Sequence, residues 1–391
     1  MSTGADKGLL EEQRAQSVYK HTILNQYLTP FIAKTGQRTQ GVVLVDGYAG
    51  TGRAGKNLGS GGQMLVAASR MSKKVTTAVY LVEQDTHRFQ ELDSLAERFR
   101  TAGVQVFTAN QPVQTQMASI LAAARDQSLF LFLDPCGALL DFSEISDPLA
   151  ARAARRWPPT EAFLNLSGQL TWRASGQLLS RSADQASVQR LDRVVDGTWW
   201  RDVVEAAAPQ KGEFHGVVET IAAQYTTRLV RATGMKAIRV PVSKKVDGKP
   251  IYHLIFLTRN DHGLATFADA IGRARPAWIE AMYPAHQEGT LDLELDTGEP
   301  FTPASVAATM AKEEQTAAVD VVEANLRALS VDVSTFSPLN HVADIYGATL
   351  GLSTTTQVAR ALKRLVDDGT LRLVRQHKDP MRRAYERVTH P

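Results

Sequence analysis

The hydrophobic positions of this chain repeat at two different spacings. Over residues 9–34 they recur every three or four residues, which predicts a helix that Pro30 and Gly36 bring to an end. From residue 41 onward, short apolar runs alternate with longer segments of helical periodicity. The apolar runs are 41–46, 78–82, 104–107, 129–133 and 162–166, and the helical segments between them include 61–71, 86–100 and 113–125. Runs that are apolar at nearly every position predict parallel strands, buried between helices on both faces of one sheet.

The pattern changes after residue 169. Residues 170–235 are predicted to be helical and contain three tryptophans among charged residues, Trp172, Trp199 and Trp200. These tryptophans have two interpretations. They line a substrate cleft together with Arg173 and Arg201, or they are buried in the packing of the helices. The segment is therefore assigned only as a helical insertion or cap.

A hairpin is predicted after the insertion. Residues 237–243 and 251–258 are rich in β-branched and aromatic residues, and an Asp-Gly turn separates them. Two such runs predict an antiparallel β-hairpin. A parallel sheet of five strands that ends in an antiparallel hairpin is the plan of class I methyltransferases. The predicted fold class is therefore α/β, a class I methyltransferase-like (Rossmann-like) sheet with a terminal β-hairpin and a helical insertion.

The C-terminal part of the chain has the pattern of a separate domain. Residues 286–303 are acidic and contain glycine and proline, which predicts a linker. Helices are then predicted over 304–329, 337–347 and 353–367, and strands over 371–375 and 384–388. Three helices followed by a hairpin form the plan of a winged helix-turn-helix domain.

The chain thus divides into parts with different predicted roles. In order, these are an N-terminal helical segment (1–40), a Rossmann-like cofactor-binding core (41–169), the insertion or cap (170–235), the hairpin and helix that complete the core (236–285), the acidic linker (286–303) and the winged helix-turn-helix domain (304–391).

Composition excludes several classes of protein. The chain has 391 residues, of which 43% are hydrophobic and 22% are charged, and these values are typical of a folded globular protein. Its one cysteine, Cys136, excludes a disulfide scaffold and an iron–sulfur cluster held by this chain. No apolar run is long enough to cross a membrane, and acidic residues stand where a signal peptide needs an apolar stretch. We therefore expect a cytoplasmic protein that has no membrane partner.

The net charge of +3 is unevenly distributed. Residues 351–391 hold nine Lys/Arg and four Asp/Glu, so the excess positive charge lies at the C-terminus. The candidate nucleic-acid-binding residues are three cations on the third predicted helix and two on the predicted wing: Arg360, Lys363, Arg364, Arg375 and Arg383. A basic recognition helix beside a basic wing predicts contact with DNA or RNA. A winged helix that contacts another protein is the alternative.

A glycine-rich turn follows the first predicted strand. Glycines at this spacing let a ligand approach the backbone closely, and the N–H groups that start the next helix can bind an anionic group. The turn has neither the Gly-x-Gly-x-x-Gly of a dinucleotide site nor the Gly-Lys-Ser/Thr of a Walker loop. Aromatic-Ala-Gly-x-Gly after an Asp-ended strand is instead typical of the S-adenosylmethionine (SAM) loop of nucleic-acid methyltransferases, and a tight turn without a ligand is the alternative. The residues predicted to bind this cofactor are Asp46, Gly47, Tyr48, Ala49, Gly50 and Gly52.

Three further residues are predicted to contact the cofactor. Glu83 ends the second strand, where a carboxylate can accept hydrogen bonds from both ribose hydroxyls. Asn110 follows the third strand and is a candidate for the adenine edge. Lys20, in the N-terminal helix, pairs with the cofactor's carboxylate or faces solvent. The histidines are scattered and lack the spacing of metal ligands, so no metal site is predicted.

The fourth predicted strand runs directly into the candidate catalytic residues Asp134, Pro135 and Cys136. This sequence resembles the Asp-Pro-Pro-aromatic motif of enzymes that methylate exocyclic amines. In that motif the acid and a backbone carbonyl accept hydrogen bonds from the amine, and the aromatic ring stacks on the base. Here the aromatic residue is missing. A Pro-Cys pair is also found in cytosine-C5 methyltransferases, in which the thiolate attacks the ring, so Cys136 is a nucleophile or a small buried filler.

Several motifs, taken in order over residues 17–285, resemble one family, the three-Cys-motif partner proteins (TcmP). The motifs are Lys20-His-Thr-Ile-Leu-Asn-Gln-Tyr-Leu28, Asp46-Gly-Tyr-Ala-Gly-Thr-Gly52, Gly59-Ser-Gly61, Leu81-Val-Glu83, Leu133-Asp-Pro-Cys-Gly137 and Tyr252-His-Leu-Ile-Phe-Leu-Thr-Arg259. The resemblance implies a Rossmann-like methyltransferase-type domain and, as a partner, a radical-SAM-like three-Cys-motif protein. The chain departs from the family pattern at Gly61, where proline is expected, at Asn110, where an acid is common, and at Cys136, where an aromatic residue is common.

Two functions are consistent with these residues. The first is a SAM-dependent methyltransferase that acts on a DNA or RNA base, with the acceptor amine oriented by Asp134 and by the carbonyl of Pro135. Such a transfer needs mainly positioning and desolvation. The alternative is a non-catalytic adaptor that binds nucleic acid and recruits the radical-SAM-like partner. An enzyme that depends on the Cys136 thiolate is a third interpretation.

Overall fold

The computed structural model describes most of the chain as two compact units. The described residues are 15–137, 139–155, 157–180, 184–207, 214–244, 248–282 and 302–388. Within these ranges, the first unit contains residues 28–259, and the second contains residues 15–27 together with 260–388. The start of the predicted helix 9–34 and nearly all of the predicted linker 286–303 lie outside the described residues.

The first unit is built on a seven-stranded sheet with the strand order β5-β4-β1-β6-β7-β9-β8. The first five of these strands are parallel, and β9 and β8 are antiparallel to their neighbours. In chain order the strands of the unit, including a separate hairpin of β2 and β3, are β1 (Val42–Asp46), β2 (Arg53–Ala54), β3 (Asn57–Leu58), β4 (Thr77–Val82), β5 (Gln105–Ala109), β6 (Ser128–Leu133), β7 (Thr160–Ser167), β8 (Lys236–Ser243) and β9 (Pro250–Thr258). This arrangement confirms the predicted fold class, a largely parallel Rossmann-like sheet that ends in an antiparallel hairpin.

The central strands are apolar at successive positions because the sheet is covered on both faces. Every residue of β1 and β6 is buried. On one face, Val45 and Leu131 belong to the core that the helices of the unit complete. On the other face, the ring of Phe31 packs against that of Phe130, with a centroid distance of 5.6 Å. A strand that is buried on both sides has no polar alternation.

Ten helices accompany the sheet and the start of the second unit in the described part of the chain. They are α1 (Ala15–Gly36), α2 (Ser60–Met71), α3 (Thr86–Thr101), α4 (Val113–Ala123), α5 (Phe142–Ala153), α6 (Gly168–Leu179), α7 (Ala186–Val195), α8 (Trp199–Ala207), α9 (Phe214–Thr233) and α10 (Asp261–Glu280). The predicted insertion therefore consists of α6 to α9.

The structure differs from the sequence expectation at two helices. Helix α1 ends at Gly36, as predicted, but the other predicted stop, Pro30, lies inside it. A proline inside a helix removes one backbone donor and usually kinks or breaks it, but the apolar residues beyond Pro30 still have core to pack against. Helix α5 was not predicted, although its N-terminus carries a local signal. Asp141 and Glu144 form a capping box there.

The second unit contains the C-terminal elements. In chain order these are α11 (Pro303–Asp332), β10 (Thr335–Phe336), α12 (Val342–Tyr346), α13 (Thr355–Asp367), β11 (Leu371–Arg375) and β12 (Ala384–Arg387), and the strands form an antiparallel sheet in the order β10-β12-β11. The predicted helix 337–347 is instead α12 flanked by two short 3₁₀ turns. Helix α10 is grouped with this unit, whereas the sequence assigns it to the core.

A partly buried arginine ties together the loops at the amino ends of β6 and β7. Its guanidinium donates to the carbonyls of Ala124 and Gln127, both at 3.0 Å, and to Thr160 Oγ1 at 2.8 Å. The residue is Arg152, and burial lowers the pKa of its guanidinium to about 10. Three acceptors from two segments converge on one planar group, and the fixed fork of a guanidinium satisfies them in a geometry that the compact ammonium of lysine does not match.

We expect Arg152→Lys to lower the free energy of unfolding of the first unit by about 2–3 kcal/mol, because it leaves carbonyl groups without donors. The matched control is Arg155→Lys. Arg155 is exposed and reaches Arg125 and Asp126, so its replacement is expected to cost about 0.5 kcal/mol or less. Chemical denaturation measures both variants, and equal effects would contradict the role of Arg152.

Candidate active site

A cavity of about 340 Å³ lies at the carboxyl ends of the parallel strands. Its walls come from the residues that follow β1, β4, β5 and β6, and from one arginine of the insertion. Strand β1 has β4 on one side and β6 on the other, so the strand order reverses at this point. Ligands of open α/β sheets bind at such a reversal, outside the carboxyl ends of the strands. We call this space the switch-point cavity.

The loop after β1, residues 47–52, is held by the backbones of both neighbouring strands. The N–H of Gly47 donates to the carbonyl of Phe132 at 3.0 Å, and the N–H of Ala49 donates to the carbonyl of Val82 at 2.9 Å. The buried Asp46 carboxylate accepts the N–H of Tyr48 at 3.1 Å. The Asp46 carboxylate therefore stabilises the backbone at the start of this glycine loop.

The two later glycines of the loop serve different purposes. Both have positive φ, +57° at Gly50 and +73° at Gly52, which favours glycine. A Cβ at Gly52 would lie 2.8 Å from Leu95 Cδ2, whereas a Cβ at Gly50 would meet nothing within 4 Å. Gly52 is thus required by packing against α3. Gly50 borders the switch-point cavity and leaves it open.

The Glu83 carboxylate joins the glycine loop to the end of β4. Its Oε2 accepts the N–H of Gly50 at 2.9 Å, and its Oε1 accepts the N–H of Asp85 at 2.8 Å. The residue is only 8% exposed and lines the switch-point cavity. Since a carboxylate offers about four acceptor positions, each oxygen retains capacity for a second donor from the cavity side.

The side chain of Asn110 hydrogen-bonds to the turn that contains Glu83. Its side-chain amide donates to the carbonyls of Glu83 and Gln84 at 2.9 and 3.1 Å, and its Oδ1 accepts from Thr86 at 3.1 Å. It is not among the residues that line the switch-point cavity; the neighbouring Gln111 is. Asn110 thus fixes the turn that presents the Glu83 carboxylate.

Arg190 of the insertion and Tyr48 of the glycine loop are two further polar residues that line the cavity. Arg190 of α7 donates to Asp141 Oδ1 at 2.8 Å and to the carbonyl of Leu139 at 2.6 Å. Burial raises the pKa of Tyr48 to about 12, against the opposing effect of the nearby Arg190 charge. The Tyr48 hydroxyl therefore stays protonated at neutral pH. No local sequence signal indicated Arg190, because it reaches the site from a distant helix.

The predicted catalytic turn after β6 borders the same cavity. Pro135 and Cys136 line it, and Cys136 is exposed, so its interpretation as a buried filler is wrong. Asp134 Oδ1 accepts a 2.6 Å hydrogen bond from Asn165 Nδ2 of β7. The Oδ1 atom of Asn165 is buried and has no hydrogen-bond partner among the described residues. Asn165 was not predicted, and it holds the Asp134 carboxylate at the end of β6.

Lys20 belongs to the second unit and is not among the residues of the first unit that line this cavity, so its contact with the cofactor stays a prediction. Within the described ranges, no three His, Cys, Asp or Glu side chains are grouped so that they could hold a metal ion. The described helices also include none with the length and apolarity needed to span a membrane.

The predicted recognition helix, α13, is capped by an acidic side chain of its own unit. Asp269 of α10 accepts the backbone N–H of Thr355 at 2.6 Å and its hydroxyl at 3.0 Å. Recognition helices usually place their N-terminal residues in the major groove. In α13 that end is instead occupied by a carboxylate.

The predicted nucleic-acid-binding cations also have partners within the second unit. Lys363 pairs with Asp367 at 2.6 Å, and Arg364 pairs with Asp320 at 2.7 Å. The two cations of the wing donate to backbone carbonyls, Arg375 to Arg382 at 3.3 Å and Arg383 to His377 at 2.8 Å. Arg360 is exposed on α13. The two carboxylates, Asp367 and Asp320, partly neutralise the positive charge that the sequence places on this surface.

Comparisons with known proteins find matches only among solved structures. No protein-family model and no curated protein matches this chain. Among solved structures, the methyltransferase domain of bacterial CtHen1 is 9% identical, with 60% of this chain and 99% of that chain covered and a TM-score of 0.29. Geranyl diphosphate methyltransferase with GPP and sinefungin is 14% identical, covering 60% and 77%, with a TM-score of 0.25. P. horikoshii TYW2 with MeSAdo is 10% identical, covering 59% and 62%, with a TM-score of 0.25. At these TM-scores the fold class rests on the observed strand order, not on the matches.

We expect Asn110→Ala to loosen the turn at Glu83. Loss of three hydrogen bonds, two donated by the amide and one accepted from Thr86, at about 1 kcal/mol each, should accelerate amide exchange over residues 83–88 roughly 5- to 150-fold. Hydrogen–deuterium exchange followed by mass spectrometry measures this effect. Gln111→Ala is the control, because Gln111 lines the cavity but its side chain does not reach this turn. An unchanged rate in Asn110→Ala would show that the turn holds without the amide.

Proposed function

We propose that this chain is a SAM-dependent methyltransferase that acts on a nucleic-acid base. One arrangement carries the proposal. The glycine loop, the Glu83 carboxylate and residues 135–137 line a single cavity at the switch point of the sheet, and Asp134 directly precedes the last of these segments. Its volume of about 340 Å³ falls within the ~300–1,000 Å³ of typical small-molecule sites.

The residues that line the switch-point cavity fit a nucleoside cofactor. The open space above Gly50 lets a ligand contact the loop backbone directly. The remaining acceptor positions of Glu83 match a pair of ribose hydroxyls. Gln84 and Gln111 also line the cavity, and their amides can both donate to and accept from a purine edge. When bound, SAM would supply an electrophilic methyl group on a sulfonium.

The turn after β6 supplies the groups that an acceptor amine needs. Asp134 can accept a hydrogen bond from the amine, and the Asn165 amide fixes the carboxylate in place from the adjacent strand. The carbonyl of Pro135 is a second candidate acceptor. Two acceptors orient the nitrogen lone pair toward the incoming methyl group, so the protein contributes mainly through positioning. The exposed Cys136 thiol lies beside this site.

The nucleic-acid part of the proposal has separate support. The Asp134-Pro135 sequence resembles that of base-amine methyltransferases. In the second unit, the succession of α11, β10, α12, α13 and a β-hairpin is the order that a winged helix-turn-helix requires. The resemblance to the TcmP family adds a radical-SAM-like three-Cys-motif protein as a partner.

We expect Gly50→Arg to abolish SAM binding, because its side chain would fill the space above the loop. Isothermal titration calorimetry should show wild-type binding and at least about 100-fold weaker binding in the variant, the loss of ~3 kcal/mol. Gly103→Arg is the matched control. Gly103 also has positive φ and open space around it, but it lies in the turn after α3.

Equal loss in both glycine variants would attribute the effect to backbone strain and not to the cavity. Absence of binding to the wild-type protein would exclude the methyltransferase and leave the nucleic-acid-binding adaptor.

We expect Asp134→Ala to lower methyl transfer about 100-fold or more while SAM affinity stays within about twofold of wild type, because the residue acts on the acceptor. Transfer of a labelled methyl group from SAM to total RNA and to genomic DNA measures the rate. Cys136→Ser should retain most of the activity. Loss of transfer in Cys136→Ser with retention in Asp134→Ala would contradict the amine mechanism and favour attack by the thiolate.

A further inference from the structure

A second cavity, of about 760 Å³, lies in the first unit and is not used by the proposed chemistry. It is formed by the start of α6 and by the facing ends of β8 and β9. Gly168, the first residue of α6, lies so close to β9 that a Cβ there would be 2.7 Å from the carbonyl oxygen of Ile251. Gly168 and Ile251, which approach each other closely, both line the cavity. We call it the cationic cavity.

One face of α6 points into the cationic cavity. Gln169, Trp172 and Arg173 line it, and their spacing of i, i+3 and i+4 places them on one side of a helix. The opposite side of α6, with Thr171, Ala174 and Ser175, is buried. Trp172 therefore lies on the side of α6 that faces the cavity, and it is 42% exposed.

Among the described residues, the charged side chains that line the cationic cavity are all positive. Arg173 of α6, Lys244 after β8 and Lys249 before β9 all line it, and none of its lining residues in the described part of the chain is acidic. This differs from the second unit, where Lys363 and Arg364 each pair with a carboxylate. Three cations around a large indole form a site for a ligand that combines an anionic group with a flat aromatic one.

The cationic cavity lies on the same edge of the sheet as the switch-point cavity. Strand β7 ends at Ser167, directly before α6, and is the neighbour of β6. The hydrogen bond between Asp134 and Asn165 joins the ends of these two strands. Along this edge the order is therefore the glycine loop, then the Asp134–Asn165 pair, then Trp172 and its cations.

We propose that the cationic cavity binds a nucleotide unit of the methyl acceptor, with the base stacked on Trp172 and the phosphate held by Arg173, Lys244 and Lys249. The inference rests on the proposed function in treating this ligand as the acceptor. A base inside a duplex has both faces stacked and cannot lie on an indole. The ligand is thus an unpaired nucleotide, which is either part of a single strand or free.

The test measures the binding of fluorescein-labelled single strands of about six nucleotides, a length within the usual range for one site, by fluorescence anisotropy without SAM. Trp172→Ala should weaken binding about 5- to 150-fold, the effect typical of losing one stacked base, and Trp172→Phe should restore most of it. Trp157→Ala is the matched control, since Trp157 is 40% exposed and lies outside the cavity.

The cations are tested by the dependence of the binding on salt. Replacing Arg173, Lys244 and Lys249 together by Gln should reduce the slope of log K against log [salt] by about 2, since each single-strand contact contributes about 0.7. Competition with a nucleoside monophosphate distinguishes a free nucleotide from a single strand as the ligand. Displacement at similar concentrations identifies a free nucleotide, and much weaker displacement identifies a strand.

Three results would overturn the proposal: no binding of any single strand or mononucleotide to the wild-type protein, unchanged binding in Trp172→Ala and the triple variant, or equal binding of a blunt duplex that does not depend on Trp172. Failure of the proposed function is seen separately, as absence of SAM binding in calorimetry. If only SAM binding fails, Trp172-dependent binding still assigns the cavity to a nucleotide.

Discussion

The carboxylate of Glu83 is the interaction on which the site depends. It ends β4, and its two oxygens accept the N–H groups of Gly50 and Asp85. One side chain therefore couples the loop after β1 to the helix start after β4. The coupling holds Gly50 in its left-handed conformation at the cavity wall and keeps the carboxylate itself at the same wall. Without it, the two strand ends would be joined only by backbone contacts.

The proposed functions follow one another along one edge of the sheet. The proposed nucleoside site lies over β1 and β4, the proposed acceptor groups for an amine stand at the end of β6, and the cationic cavity follows beyond β7. The order arises from topology. Parallel strands present their carboxyl ends at one edge, and the antiparallel β8–β9 hairpin closes that edge with lysines.

The features that could be predicted from sequence are those encoded locally. The apolar runs of β1 and β6 identify buried parallel strands, and the glycine spacing identifies the loop that borders the cavity. Helix α5 also had a local signal, the capping box of Asp141 and Glu144, which the sequence analysis overlooked. Pro30 shows the opposite case, because a local breaking signal is overcome by tertiary packing.

The residues that could not be predicted act over long separations. Asn165 holds Asp134 from the next strand, and Arg190 reaches the cavity from the insertion. Asp269 caps the predicted recognition helix from a helix 86 residues earlier in the chain. Charge counting placed a cationic surface on α13, but it could not show that acidic neighbours pair with those charges. The cluster at Trp172 is likewise assembled only by the fold.

The most direct test is a crystal structure of the protein grown with S-adenosylhomocysteine, the product form of the cofactor. The account predicts the nucleoside in the switch-point cavity, with its ribose hydroxyls on the Glu83 carboxylate and its amino-acid end toward the turn at Pro135. An analogue that binds elsewhere, or a saturated crystal in which side chains fill the space above Gly50, would contradict it.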